Sequence, residues 1–364
     1  MTTRFEVRRD DIRDGRWTTP AAPPFVDGAV RMRIDLFALT ANNITYAKFG
    51  DALGYWQHFP TDDPSTGAIP VWGFATVTES ACAGVDVGER FYGYFPIADE
   101  VVLHPQDVST AGFSDGAEHR RGLPPVYAQY ERCTSDASYV AEREPQQALL
   151  RPLFATSFLL DDFLSAREYF GADTVVLAGA SSKTAYGTAF CLSQRRDADA
   201  VKVVGLTSPA NVEFTRSLGC FQEVLTYDEV ASSLPESSSV YVDFSGDGTV
   251  RAAVRRRLGD RLVYDCAVGM THWDAPPDAG DLPGPDPVLF FAPDQAAQRA
   301  AEWGTAGLRE RLAIAWSAFM EPVTRAHDPW LEIVTGQGKS AIEACYTALL
   351  DGRIPAREGH VLTV

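Results

Sequence analysis

Apolar and polar residues alternate in short runs through the first 150 residues. VRMRIDLFAL (Val30–Leu39) alternates and then turns apolar, the pattern of a half-buried strand. IPVWGFATVTES (Ile69–Ser80), ERFYGYFP (Glu89–Pro96) and DEVVLHP (Asp99–Pro105) predict three more strands, with the turn-rich AGVDVGER between the first two. Glycine and proline punctuate these runs, as in a barrel or sandwich. Over 106–150 the alternation fades. STAGFSDGAEHRRGLPP is polar and turn-prone and reads as a long surface loop.

From about Leu149 the periodicity switches. LLRPLFATSFLLDDFLSAREYFG predicts a helix capped by Gly171, and TVVLAGA (Thr174–Ala180) a short buried strand. KTAYGTAFCLSQRR is helical, KVVGLT (Lys202–Thr207) a strand, and NVEFTRSLG a helix with Gly219 as its C-cap. EVLTY, SVYVDF, RLVYDCAV and PVLFFAP are later strands, and TVRAAVRRRLG (Thr249–Gly259) is a helix between two of them. This alternation predicts a parallel sheet with helices on both faces. A long helix follows, roughly Gln295 to Phe319. The tail then reads strand, helix, strand (WLEIVTGQG, SAIEACYTALLDGRIP, REGHVLTV) and is placed back on the first domain. The expected domains are 1–150 with 325–364, and 151–324.

Composition narrows the partners. The 364 residues carry a net charge of -17, the wrong sign for a phosphate backbone or an anionic membrane surface. No apolar run is long enough to span a bilayer, and MTTRFEVRRDDIRDGRW lacks a signal core, so a cytoplasmic protein is expected. The six cysteines show no CxxC spacing and are expected to be free thiols.

The segment with the most chemistry is TVVLAGASSKTAYGTA. A strand enters a turn of small residues and a helix begins at once, which turns backbone N–H groups and the positive helix end toward a pyrophosphate. The strict G-x-G-x-x-G is absent. The turn is Gly179-Ala180-Ser181-Ser182-Lys183-Thr184-Ala185, with Ser182 and Ala185 where later glycines would stand. Lys183 either meets a cofactor phosphate or sits exposed, and an ordinary strand–helix turn of another doubly wound protein is the competing reading. At the end of the second strand, NAD enzymes usually carry a carboxylate for the ribose 2′-OH. Here Thr207, Ser208 and Asn211 occupy that region, with Arg216 and Lys202 as nearby cations, so NADPH is the expected cofactor. Asp243, Ser245 and Gly246 end a third strand, and Val268, Gly269 and Thr271 a fourth, where an open sheet binds ligands; His272 follows and reads more readily as structural.

With these residues placed, the chain resembles the medium-chain dehydrogenase/reductases over nearly its whole length. IPVWGFATVTESACAGVDVGERFYGYFP resembles their strand–turn–strand, SPANVEFTRSLGCFQEVLTYDE their passage from second to third strand, and LLDGRIPAREGHVLTV their closing helix and strand. LTANNITYAKFG, ASSKTA and FFAPDQ resemble a poorly characterised bacterial branch. The resemblance implies an α/β chain with a GroES-like β-rich domain and a doubly wound Rossmann domain, and a homodimer, for which PVLFFAP (Pro287–Pro293) is the candidate edge. Zinc alcohol dehydrogenases carry Gly-His-Glu where this chain reads Gly73-Phe74-Ala75, and ANNITYAKFG has no cysteine. Neither phenylalanine nor alanine can ligate zinc.

The resemblance therefore points to metal-free hydride transfer from NADPH to a small molecule, a conjugated carbonyl or a quinone. Such chemistry needs a donor on the substrate oxygen. Tyr55 in GDALGYW resembles the functional tyrosine of zinc-free enoyl reductases, Tyr46 is second, and Asn43 is placed to orient substrate; a packing role with a satisfied hydroxyl is the competing reading of both tyrosines. Trp56, His58 and Phe59 read as an aromatic lid or as core. A different reaction on this scaffold and a non-catalytic NADPH-binding sensor are the competing readings.

Overall fold

The computed structural model describes residues 2–21, 24–195, 201–269 and 282–364. Along the chain lie β1 (Arg4–Arg8), β2 (Gly15–Thr18), β3 (Val30–Leu39), α1 (Ala41–Lys48), β4 (Thr66–Ala68), β5 (Pro70–Ser80) and β6 (Arg90–Pro96). Next come β7 (Glu100–Leu103), β8 (Pro105–Ser109), β9 (Gly112–Asp115), β10 (Gln129–Arg132) and α2 (Glu144–Ser165). The alternating part contains β11 (Thr174–Ala178), α3 (Lys183–Ser193), β12 (Lys202–Thr207), α4 (Val212–Ser217), β13 (Glu223–Thr226), α5 (Val230–Ser233) and β14 (Ser239–Asp243). It continues through α6 (Gly248–Leu258), β15 (Leu262–Ala267), β16 (Val288–Leu289) and α7 (Ala292–Thr324). The tail is β17 (Glu332–Gln337), α8 (Lys339–Leu350) and β18 (Glu358–Thr363).

Two compact units result, Met1–Pro152 with Glu332–Val364, and Leu153–Leu331. In the first, a nine-stranded sheet runs β17-β18-β3-β5-β6-β10-β9-β8, with β7 also on β3, and a small sheet runs β2-β1-β4. The tail belongs to this unit because β18 pairs antiparallel with β3, Val361 opposite Ala38. Its core is aromatic: Phe5, Phe37, Phe74, Phe91, Tyr94 and Phe95 are fully buried.

The second unit is a six-stranded parallel sheet, β13-β12-β11-β14-β15-β16. All five residues of β11 and of β14 are buried, as strands covered on both faces must be. A cluster that includes Val176, Leu206, Tyr241, Val254 and Leu258 forms one core layer. Phe154, Tyr186, Phe190, Phe319 and Trp330 form an aromatic cluster, with Phe154 and Phe319 stacked at 4.4 Å.

Four elements differ from the sequence reading. The segment Ser109–Pro125 is not simply a surface loop: it contains β9, which with β8 and β10 extends the large sheet. These strands have four or five residues each, too few for alternation to register, and β8 is mostly exposed polar residues. RFEVR, hidden among the charges of the N-terminus, is β1. The helix expected to close at Gly171 stops at Ser165. Glu168, Tyr169 and Phe170 then take φ of 49°, 50° and 56° ahead of Gly171 at 77°, a left-handed turn on which Phe170 stacks against Tyr264 at 4.0 Å. PVLFFAP forms a strand only over Val288–Leu289, because Pro293 favours the first turn of α7.

The register of β5 also fixes one side chain outright. Gly73 lies opposite Phe37, and a Cβ there would stand 2.2 Å from the Leu36 carbonyl oxygen and 2.9 Å from the Phe37 Cα. Backbone atoms in a sheet have nowhere to retreat. Gly73→Ala is expected to cost about 1–3 kcal/mol, read as a lower urea midpoint. An unchanged midpoint would show that β3 can shift to admit the methyl.

Candidate functional site

Most of the side chains that the sequence singled out lie in one region of each unit. In the second unit it is the C-terminal edge of the parallel sheet. After β11 the chain turns at Gly179, whose φ of 72° suits glycine. The Ala180 N–H donates to the Leu206 carbonyl (3.0 Å) and the Ser182 N–H to that of Gly179 (2.8 Å). Ser182 is the N-cap of α3, its hydroxyl accepting from the Ala185 N–H. Ser181, Ser182, Lys183 and Thr184 are partly accessible on this first turn, while Ala180 is buried. Gly187 explains the close packing behind it: a Cβ there would lie 2.6 Å from the Ser157 hydroxyl, which itself donates to the Thr184 carbonyl.

Thr207 ends β12 and is buried, and its hydroxyl oxygen has no hydrogen-bond partner. Beside it the Asn211 amide donates to the Ser208 hydroxyl (3.1 Å), so this pair comes together. Arg216 is exposed on α4 and donates to the Val224 carbonyl. Lys202 needs correction as a cofactor cation. It starts β12, at the opposite end of the strand from Thr207, and pairs with Glu223 at 2.6 Å. Sequence distance hid this, because six residues of strand span roughly 20 Å.

Asp243 organises the next two turns. It has no solvent exposure. One carboxylate oxygen accepts from the Ser245 N–H, the Ser245 hydroxyl and the Gly246 N–H at 2.7–2.9 Å, and the other from Arg251 at 2.9 Å. Its backbone carbonyl takes the N–H groups of Val268 and Gly269. Burial raises its pKa, against the pull of Arg251 and these donors. Ser245 and Gly246, read from sequence as ligand contacts, have these donors engaged by Asp243. Gly269 approaches so closely that a Cβ would sit 2.9 Å from the Phe244 carbonyl oxygen. Thr271 and His272 lie outside the described residues. Sequence reasoning missed Tyr227, whose phenol lies at the Gly179 backbone and is pushed up to about 12 by burial.

In the first unit the chemistry is a cluster of tyrosines. The rings of Tyr46 and Tyr55 are 4.4 Å apart, and Tyr127, Tyr94, Trp72 and His58 pack around them. The Tyr55 and Tyr127 hydroxyls are 3.3 Å apart. Asn42, one helical turn before Tyr46, donates to the Tyr46 hydroxyl at 2.7 Å. The polar atoms of Trp72 and Tyr94 approach that hydroxyl without reaching hydrogen-bond geometry, and both are buried with no hydrogen-bond partner. Burial raises the pKa of Tyr46, Tyr55 and Tyr127, so all three are neutral donors at neutral pH.

Asn43 is corrected from a substrate contact to a helix cap. Its carbonyl accepts from the Thr40 N–H (2.8 Å) and its amide donates to the Pro70 carbonyl (2.9 Å). Trp56, His58 and Phe59 form core: all three are buried, and Trp56 is wedged so tightly that a Cβ at Gly50 or Gly67 would lie within 2.3 Å of its ring.

A β-rich unit and a six-stranded parallel sheet with this glycine turn define the medium-chain dehydrogenase/reductase fold, GroES-like and Rossmann-like parts together. The chain belongs to the family described as Protein of unknown function (DUF2855), which matches residues 37–355. Among solved structures it is similar to CurA from Vibrio vulnificus in complex with NADPH, with a TM-score of 0.60 and 15% identity. It is also similar to a mutant form of enoyl thioester reductase from Candida tropicalis (0.58, 12%) and to the yhdH oxidoreductase from Salmonella enterica in complex with NADP (0.53, 14%). Each likeness covers 100% of this chain and 99% of the other. No curated protein matches.

The cluster generates a pH prediction. Burial, and then Arg120, lower the pKa of His58 from 6.5 to about 3. Unfolding exposes the ring, which takes up a proton below about 6.5, while the folded protein does not until about 3. The stability contribution is thus present above 6.5 and is lost as pH falls toward 3. Urea midpoints should drop across that window, and less steeply in His58→Gln. Parallel slopes would show that His58 titrates normally in the fold.

Proposed function

We propose that the protein is an NADPH-dependent reductase that delivers hydride to a conjugated carbonyl or a quinone without a metal. The observation that carries this reading is the sheet edge from Gly179 to Thr184, a small-residue turn opening a helix beside a strand end that holds no carboxylate. Thr207 adds a buried hydroxyl without a hydrogen-bond partner at that strand end. Those features suit a dinucleotide with a 2′-phosphate. The similar CurA and yhdH structures were solved with NADPH and NADP.

In this reading the second unit holds the dinucleotide and the first holds the substrate. The bound cofactor supplies hydride. The turn residues Gly179–Thr184 hold its phosphates, Ser208 and Asn211 hold the ribose end, and Val268 and Gly269 present backbone to its reactive end. Tyr55, with Tyr46 behind it, donates to the substrate oxygen as negative charge gathers there. The rings packed directly against them, Tyr94, Tyr127 and His58, carry no negative charge. Phe74 and Ala75 are fully buried and offer no metal ligand. Because the hydroxyl pair is buried, a cofactor-binding sensor without turnover is the second reading.

A cytoplasmic location fits the six free thiols. No helix among the described residues is long and apolar enough to cross a membrane. A homodimer joined through β16 is also part of the reading, since Val288 and Leu289 are 47% and 65% exposed on an edge strand.

Fluorescence titration should show NADPH bound at least about tenfold more tightly than NADH, or ~1.4 kcal/mol. Equal affinities, or tighter NADH, would remove the 2′-phosphate assignment. Loss of NADPH absorbance with menadione or cyclohexenone tests turnover, and binding without any oxidation selects the sensor. Light scattering should give a dimer that Leu289→Glu converts to monomer; a monomeric wild type ends the β16 interface.

A further inference from the structure

The segment 116–130 does more than extend a sheet: it delivers Tyr127 into the tyrosine cluster on a short turn, Pro125–Ala128. The Tyr127 ring lies 4.9 Å from that of Tyr94, 5.1 Å from His58 and 5.8 Å from Tyr55. Its position is set by Arg120, itself buried. Arg120 donates to the Tyr127 carbonyl (3.3 Å), to the His58 carbonyl (3.3 Å) and to the Tyr130 hydroxyl (3.1 Å). Asp115, equally buried, balances its charge at 3.1 Å, and the guanidinium lies over the Phe59 ring at 4.5 Å. One cation thus ties the turn carrying Tyr127 to the turn carrying Tyr55.

We propose that Tyr127 is the positioning partner of Tyr55, and that their two hydroxyls act as one unit on the substrate oxygen, held at contact distance by the Arg120–Asp115 pair. The proposal rests on the reductase reading above. The hydrogen arithmetic favours it. Two hydroxyls joined by one hydrogen bond leave one O–H for a third atom. The bond inside the pair polarises that remaining O–H and makes it a stronger donor. Tyr55 and Tyr127 are 6% and 8% exposed where Tyr94 is fully buried, so the pair lies nearer the surface than Tyr94. Burial keeps both phenols neutral, which leaves the proton in place to be shared. The same arithmetic names the substrate feature recognised: a neutral oxygen acceptor on a planar frame, since the donors here are uncharged and Arg120 is already balanced.

The test uses the full chain loaded with NADP⁺ and cyclohexenone labelled at its carbonyl carbon, read by NMR. A carbonyl that accepts a hydrogen bond moves downfield. Wild type should show that shift, Tyr127→Phe a reduced one, and Tyr55→Phe none. With NADPH, Tyr127→Phe should slow turnover roughly five- to tenfold with little change in KM, the loss of one neutral hydrogen bond. Tyr55→Phe should slow it about 100-fold or more. The double variant should be no slower than Tyr55→Phe, because each hydroxyl works through the other. A full shift in Tyr127→Phe, multiplicative rate losses, or no shift in wild type would overturn the pairing. A lowered melting temperature with an intact shift would make Tyr127 a packing residue and also overturn it. Absence of hydride transfer in wild type despite the expected shift pattern would instead count against the reductase reading.

Discussion

A carboxylate with no access to water must be compensated from inside the protein, and Asp243 shows what that compensation builds. Desolvation opposes its charge. Arg251, three donors of the following turn, and the fold around them offset that cost. The result is an anchor at the end of the central strand β14. Its side chain shapes the Ser245–Gly246 turn, and its backbone carbonyl holds Val268 and Gly269 at the end of β15. The turn after β11 packs against the same place, since a Cβ on Gly179 would lie 3.3 Å from the Ser245 nitrogen. Three strand ends of the candidate cofactor edge therefore meet at the buried Asp243, its half-buried partner Arg251 and its hydrogen bonds.

The first unit solves a related problem with rings. Its donors are tyrosines and a tryptophan, whose bodies supply apolar core and whose tips supply polar chemistry. Burial keeps the phenols protonated, so the cluster gathers donors without gathering charge. The buried cation Arg120 is balanced by Asp115 and spends its hydrogen bonds on backbone carbonyls and Tyr130. The charge fixes geometry, and the phenol hydroxyls stay neutral.

Much of this was legible in the sequence where the pattern is local. Thr174–Ala178 and Lys202–Thr207 are buried strands whose continuous apolar runs announce them, and the small residues from Gly179 onward mark the turn. Ser182 as a cap before a helix is equally local. The short strands β8, β9 and β10 were not legible, because their four or five residues, mostly exposed and polar in β8, carry neither an apolar run nor a clear alternation. Asn43 and Asn42 show the limit within a single helix. Both are asparagines near Tyr46, but only the three-dimensional position of the Pro70 carbonyl commits Asn43 to the backbone. Lys202 looked close to Thr207 in sequence and lies a strand's length away.

The sequence by itself determined the class of architecture, the parallel order of strand and helix, the candidate phosphate turn and the carboxylate-free end of β12. It could do so because hydrophobic period, turn chemistry and helix capping are properties of neighbouring residues. Tertiary structure alone decided what distant residues share: that Tyr127 meets Tyr55 across 72 positions, that Arg120 reaches His58, and that Asp243 is buried against Arg251. Those contacts depend on how the sheets bring their loops together, and nothing in the spacing of residues along the chain encodes a distance through space.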